Sequence, residues 1–288
     1  MTATFQPNLE RREMLIAALH RNEEQSCHVM GIVNVTPDSF HENSRKTTVE
    51  SAVHAAERMW SEGATWIDIG GESTRPGADY VSIEEEIKRV VPVISNLRMK
   101  NPDGLISIDT RRPEVARAAL DAGADLVNDV SGLRDAEMIQ LILEKQCGVC
   151  IMHMQGNPQN MQEKPQYDNC AVEVSEQLLE TARGLVAAGH PSELIVLDPG
   201  IGFGKLLEHN IDLLQRHDLL RGIEGYSILW GVSRKSMIGQ LTGQTEPGGR
   251  LSGTLAVAAK AHYEGIDIVR VHDVKEHIDL FQVLNSID

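Results

Sequence analysis

A (β/α)8 TIM barrel with an N-terminal helical extension is the fold that this sequence predicts. Short runs rich in Val and Ile recur eight times and alternate with longer amphipathic stretches. The runs are continuously apolar rather than alternating, the pattern of parallel strands covered on both faces. Eight such units in 288 residues suit a closed barrel, and no Pro-rich linker divides the chain. Residues 1–27 read as the extension and residues 28–288 as one barrel domain.

The elements follow in order. Glu10, Arg11, Arg12 and Glu13 precede a short apolar patch, Met14 to Leu19. A signal peptide needs a longer uncharged stretch and a small-residue cleavage site, so residues 8–22 are expected to form an amphipathic helix outside the barrel. Strands are expected at His28–Val35, Thr65–Gly71, Leu105–Thr110, Leu126–Ser131, Gly148–His153, Leu194–Gly200, Ser227–Arg234 and Ile268–Asp273. Between them Thr48–Glu62 follows Thr47, a suitable N-cap, and ends before Gly63. Ile83–Met99 follows Ser82, and Ser82-Ile83-Glu84-Glu85 has the spacing of a capping box. Pro113–Ala122 has Pro at its start and Gly123 past its end. Further helices are expected at Ala136–Lys145, Val172–Ala188, His209–Leu220, Leu251–Glu264 and Lys275–Ile287. The turns at Gly63, Gly123 and Gly265 are short, as expected on the face of a barrel that serves stability.

Bulk properties narrow the function. With 27 basic and 42 acidic residues the net charge is −15, which disfavours a nucleic-acid partner but leaves room for a small anion bound by local cations. A hydrophobic share of 41% is enough for a large core, and no segment approaches the ~20 apolar residues of a membrane span. The four cysteines are Cys27, Cys147, Cys150 and Cys170. Cys147 and Cys150 have C-x-x-C spacing, but they open an apolar strand and no second ligand pair follows, so both read as small buried hydrophobes. Few cysteines without a disulfide framework suit a reducing, cytoplasmic setting.

Active sites of such barrels lie at the C-terminal ends of the strands. Those ends carry Asn34, the segment Glu72 to Arg75, Asp109, Asn128 with Asp129, His153, Asp198, the segment Ser233 to Ser236, and Arg270 with His272 and Asp273. Any one of these reads first as a turn former or helix cap, and Asp129 and Asp273 can be only that. Together they describe a polar site converging in an apolar barrel. Arg270 and His272 share one strand face, as do Ser107 and Asp109.

Asp109, Asn128 and Asp198 supply buried acceptors, which suit a flat heterocycle bearing several N–H groups. Arg270 and His272 suit an oxyanion such as phosphate, and Lys235 adds a charge on a flexible stem. Ser236 is placed to open a helix whose free N–H groups attract an anion. The stretch Gly200 to Lys205 fits neither phosphate-loop spacing and reads as a tight glycine loop. His153-Met-Gln lacks metal-ligand spacing.

These segments resemble the dihydropteroate synthase family over nearly the whole chain, from about residue 28. The carrying segments are Met30 to Phe40, Asp68 to Gly77, Ser107 to Thr110, Asn128 to Ser131, Asp198 to Lys205, Ser233 to Ser236 and Arg270 to His272. The resemblance implies a transferase of folate biosynthesis, condensing 6-hydroxymethyl-7,8-dihydropterin pyrophosphate with 4-aminobenzoate. It implies that Asp109, Asn128, Asp198 and Lys235 hold the pterin, and that Asn34, Thr74, Arg75, Arg270 and His272 hold the pyrophosphate, with Mg2+ at Asn34. Phe40, Phe203 and Ser236 would receive the aminobenzoate, and Lys235, Asp198 and Arg270 would carry the catalysis. A homodimer is implied too, with the late helices, such as the alanine-rich Leu251–Glu264, in contact.

One segment departs from the family. Where members have Ser-Asp-Gly-Gly after the loop phenylalanine, this chain has His41-Glu42-Asn43-Ser44. Losing two glycines stiffens the loop, and the stretch is similar to that of sulfonamide-insensitive members, so altered sulfonamide affinity is expected. Two other functions compete: a pterin-binding paralogue without synthase activity, and a methyltetrahydrofolate–corrinoid methyltransferase. The latter would lack the Thr-Pro-Asp-Ser-Phe, Ser-Thr-Arg-Pro-Gly and Ser-Arg-Lys segments found here.

Overall fold

The computed structural model describes residues 9–22, 25–35, 45–73, 81–156, 161, 163 and 165–287, the side chains of 45–47 excepted. Among these, eight strands form one closed parallel barrel in sequence order. They are β1 (His28–Asn34), β2 (Trp66–Gly70), β3 (Leu105–Asp109), β4 (Leu126–Asp129), β5 (Gly148–Met152), β6 (Ile195–Asp198), β7 (Ser227–Trp230) and β8 (Ile268–Val271). Each expected strand is present and is shorter at its C-terminal end, with Asn34, Asp109, Asn128 and Asp198 still within their strands. The helices are α1 (Leu9–Leu19), α2 (Arg45–Ser61), α3 (Ile83–Lys100), α4 (Pro113–Asp121), α5 (Ala136–Lys145), α6 (Cys170–Ala187), α7 (Leu207–Gln215), α8 (Ser236–Thr242), α9 (Leu251–Tyr263) and α10 (Val274–Ile287).

Alternation along the strands divides the apolar residues between two cores. Ile67, Ile69, Ile106, Ile108 and Val127 face outward into the layer shared with the helices. Met30, Trp66, Leu105, Leu126 and Cys150 face inward and pack together inside the barrel. The register then sets the upper interior. Asn34 lies opposite Gly70, Gly70 opposite Asp109, and Asp109 opposite Asn128, so these four strand ends share one row. One inward step lower, Asp68 lies opposite Ser107.

The expected N-terminal helix forms, but it does more than lie outside the barrel. Leu15, Ala18 and Leu19 make one apolar stripe and enter the inner core, closing the barrel floor. Trp66 donates its indole N–H to the Ala18 carbonyl at 3.0 Å. Arg11 and Arg98 both grip Asp125 at 2.7 Å, tying the helix to the loops beneath the strands.

Three local expectations need adjusting. The second helix begins at Arg45, so its start lies before Thr47 rather than at it. Only half of the capping box at Ser82 forms: its hydroxyl accepts from the Glu85 N–H, while the Glu85 carboxylate reaches forward to Arg89 at 3.0 Å. The stretch expected as one helix from His209 to Leu220 is α7 and then a 3-10 turn, His217–Arg221, broken at Arg216. At Gly123 the backbone has φ +112°, and an added Cβ would sit 2.9 Å from the Arg98 side chain, so both conformation and space call for glycine. The cysteine reading holds. All four thiols are free and buried, and burial pushes Cys147 up to about 12.

Candidate active site

The charged centre of the barrel mouth is one arginine held between two aspartates. Arg270, on β8, donates from Nε to Asp68 Oδ2 and from a terminal nitrogen to Asp109 Oδ2, both at 2.6 Å. Asn128, on β4, also donates to Asp68 Oδ2, at 3.2 Å. Burial, with Asp68 close by, pushes the Asp109 carboxyl up to about 7 although Arg270 pulls it down. Burial alone would lower the Arg270 pKa, but Asp68 and Asp109 reverse that and hold it above its ordinary value.

Asp68 was not singled out from the sequence. A signal was present nonetheless: Ile67-Asp68-Ile69 sets a carboxylate in the middle of an apolar strand, and Asp68 is 0% exposed. Its second oxygen, the second oxygen of Asp109 and the Ser107 hydroxyl are all buried with no hydrogen-bond partner among the described residues. Each such group costs about 1–3 kcal/mol unless a ligand satisfies it. This patch therefore suits a ligand rich in N–H donors.

Asn34, at the end of β1, borders the same patch. The position of a Cβ on Gly70 would lie 3.6 Å from Asn34 Oδ1 and 3.7 Å from Asp109 Oδ2, so both oxygens edge one small space. Asp198 and Lys235 meet similarly around Gly231, whose added Cβ would lie 3.7 Å from Asp198 Oδ2 and 3.8 Å from Lys235 Nζ. Asp198 also accepts from the Gly200 N–H at 2.7 Å; burial raises its pKa and Lys235 opposes that. Lys235 donates to the Ile201 carbonyl, stands 4.5 Å above the centre of the Phe203 ring, and is lowered by burial to about 8.

The turn that presents Lys235 is strained. Arg234 adopts φ +57° without being glycine. It is held there by Thr254, which accepts its N–H at 3.1 Å, by Arg250, which donates to its carbonyl at 2.9 Å, and by Asp273, which pairs with its guanidinium. Arg234 and Asp273 are thus a structural clamp outside the site. Ser236 is the first residue of α8, directly after Lys235, and is exposed. His272 shares a 2.9 Å hydrogen bond with Ser233 through Nδ1.

An apolar wall completes the mouth. Phe203 packs on Val130, Met152, Met154 and Met161, of which the sequence reading had named none. Two further residues of the expected polar rim take no part. Asp129 makes only its local turn, accepting from the N–H groups of Ser131 at 2.7 Å and Leu133 at 2.9 Å. His153 turns away from the mouth and bonds through Nδ1 to the buried Lys205 at 2.9 Å, because the glycine loop folds over it. Phe40, Thr74, Arg75 and the His41–Ser44 departure lie outside the described residues. Among the described residues no group of three His, Cys, Asp or Glu side chains is arranged to hold a metal ion, and no helix is long and apolar enough to cross a membrane.

Known proteins resemble this chain in sequence and fold. A family model described as pterin binding enzyme matches residues 30–272. The chain is 46% identical over 261 residues to a dihydropteroate synthase of Escherichia coli (strain K12), covering 90% of this chain and 91% of that one. Its fold matches a solved Xanthomonas albilineans dihydropteroate synthase with 4-aminobenzoic acid at TM-score 0.85 and 41% identity, covering 92% of this chain and 94% of the other. A structure of a dihydropteroate synthase from the same organism, in complex with 7,8-dihydropteroate, matches at TM-score 0.82 and 38% identity over 92% and 94% of the two chains.

Proposed function

We infer that this chain, which belongs to the dihydropteroate synthase family, joins 6-hydroxymethyl-7,8-dihydropterin pyrophosphate to 4-aminobenzoate, giving 7,8-dihydropteroate and pyrophosphate. It is an enzyme of folate synthesis, and in chemical terms a transferase. The observation that carries the assignment of roles is the single guanidinium of Arg270 lying 2.6 Å from two buried carboxylates, beside acceptors that lack partners.

Asp109, Asn128 and Asp198 receive the N–H edge of the pterin, and Lys235 donates to its acceptors. Arg270 and His272, with Asn34, Thr74 and Arg75, take the pyrophosphate. The bond from the hydroxymethyl carbon to the pyrophosphate oxygen breaks first, and Arg270 neutralises the charge gathering on the leaving group. The cation left on the dihydropterin is favoured by the carboxylates around it. The aminobenzoate nitrogen is unprotonated near neutral pH. It attacks the same carbon and then releases its proton, so the site has no need of a strong general base. Phe203 and Phe40 flank the aminobenzoate ring, and Ser236 takes its carboxylate.

Mg2+ is part of this proposal. A small hard cation that draws most of its ligands from substrate phosphate and water needs few protein oxygens, and the donor chemistry here fits that demand: one amide oxygen, Asn34 Oδ1, beside the Asp109 carboxylate. Asn34 would hold the ion, which when bound would offset charge on the pyrophosphate. A cytoplasmic location is proposed on the four free thiols. A homodimer is proposed with α9 and α10 in contact, supported by Tyr263 and Ile287, which are 61% and 70% exposed. Ala258 and Ala261 of α9 pack in the chain's own core, and of the four alanines in this helix Ala256 is the exposed one that such a contact would use.

The test is turnover with the dihydropterin pyrophosphate, 4-aminobenzoate and Mg2+, following pyrophosphate release. Turnover that disappears in Lys235→Ala and Arg270→Ala supports the reaction and the site. Tight pterin binding without turnover would make the chain a non-catalytic paralogue instead. We propose altered sulfonamide affinity from the His41–Ser44 stretch; sulfamethoxazole inhibition equal to that of members with the Gly-Gly loop would remove that part.

A further inference from the structure

Lys205 is a buried motif lysine that the reaction above does not use. It is 4% exposed, and its ammonium meets four acceptors: His153 Nδ1 at 2.9 Å and the carbonyls of Phe203 at 3.0 Å, Gly200 at 3.1 Å and His153 at 3.3 Å. A charged lysine head has three hydrogens and no acceptor, so His153 offers it Nδ1 as a lone pair. That agrees with an imidazole kept neutral, its pKa lowered to about 3 by burial and by Lys205 itself. Burial brings the Lys205 pKa down to about 7, and the head is fully charged below that pH. The loop passes so close to β5 that a Cβ on Gly200 would lie 1.9 Å from the His153 carbonyl oxygen, and the Gly200 and His153 carbonyls converge on the one ammonium, 3.1 and 3.3 Å away.

The same loop, 200–205, supplies both supports of Lys235: the Ile201 carbonyl and the Phe203 ring. Its other ties lead elsewhere. Asn210 accepts the Gly202 N–H at 2.7 Å and Tyr167 donates to the Gly204 carbonyl at 2.9 Å. Lys205 alone among these ties Gly200 and Phe203 to the end of β5.

We propose that Lys205 is a positioning residue for the aminobenzoate half of the site, its ammonium drawing the carbonyls of His153, Gly200 and Phe203 together and so setting the Phe203 ring beneath Lys235. This rests on the reading that Phe203 meets the aminobenzoate. Removing the head group takes this donor from the His153 and Phe203 carbonyls, leaves Gly200 only its bond from the Phe203 N–H at 3.0 Å, and lets the ring shift; a misplacement on the order of 1 Å is enough to weaken a bound ring.

The experiment compares Lys205→Met with the unaltered full chain, by steady-state kinetics in both substrates and by amide hydrogen exchange over residues 200–204. The expected result is a KM for 4-aminobenzoate raised about tenfold, with a clearly smaller rise in the KM for the dihydropterin pyrophosphate, whose partner Lys235 shares the loop but keeps Asp198 beside it, and faster exchange in the loop. Phe203→Leu should give the same KM split with loop exchange unchanged. If Lys205→Met does not fold, Lys205→Gln keeps two donors and should give a smaller change of the same kind. Unchanged exchange in a folded variant would overturn the proposal at Lys205. A loosened loop with both KM values unchanged, and Phe203→Leu equally silent, would overturn it through the half-site reading. An equal rise in both KM values would reduce Lys205 to general support of the fold and would also overturn it.

Discussion

The two ends of the barrel interior are built from the same strands, one or two inward residues apart, and share almost no chemistry. At the floor Met30, Trp66 and Leu105 meet Leu15 and Leu19 of α1 in a dry core. At the mouth the next inward positions are Asp68, Ser107, Asp109 and Asn128, with Arg270 drawn across them. Burial stabilises the first set directly, whereas in the second it leaves acceptors unpaired and charges shifted. The floor therefore holds the barrel closed, and the mouth keeps a polar arrangement that becomes fully satisfied only around a ligand.

That division can be broken by substitution. Leu19→Ala should destabilise the fold by about 2–5 kcal/mol, read as a drop in the denaturation midpoint, while kcat/KM of the folded fraction stays within about twofold. A large loss of kcat/KM in that variant would mean that floor and mouth are not separate. Arg270→Ala should lower kcat/KM by roughly 10²–10³-fold, as for loss of one group that stabilises developing charge; steady-state kinetics at saturating 4-aminobenzoate read it, and a loss under tenfold would count against the guanidinium's role.

Asp68→Asn sharpens the comparison, since Asp68 stands at the boundary. It keeps the volume and removes one charged acceptor of Arg270 and Asn128, so kcat/KM for the dihydropterin pyrophosphate should fall by about 10–100-fold. An unchanged value would assign Asp68 to the floor. The smallest expected effect is on the pH profile. Asp109 takes up a proton as the pH falls through about 7 and loses its hold on Arg270; Lys235 gives one up as the pH rises through about 8 and loses its charge. The profile of kcat/KM should be a narrow bell between those limbs. In Lys235→Arg the basic limb should move up by a unit or more, because a guanidinium does not titrate there. A limb that stays in place would point to another group.

Much of the mouth was legible from residue order alone. Strand ends can be read because a continuous apolar run stops where Asn34, Asp109, Asn128 or Asp198 follows it, and two-residue parity places Arg270 and His272 together. Asp68 escaped because a lone charged residue within a strand reads as an interruption until the barrel closes around it. His153 was misplaced for the opposite reason. It ends a strand as the others do, but the glycine loop, held by Lys205, folds over it, and nothing near His153 in the chain encodes that contact. Phe203 could be proposed from a motif, whereas the methionines against it come from β5 and a later loop and become neighbours only in the folded chain.

By itself the sequence determined the periodic order of strands and helices, the cytosol-compatible thiols and the polar ends of the apolar runs, because these depend on neighbours a few positions apart. Tertiary structure alone decided that α1 closes the floor, that Arg270 bridges two carboxylates 202 and 161 positions away, and that one loop lysine is buried while Lys235 faces the site. Those outcomes depend on which backbone carbonyls and carboxylates converge once the barrel closes, and a buried charge takes its place from the groups that compensate its lost hydration.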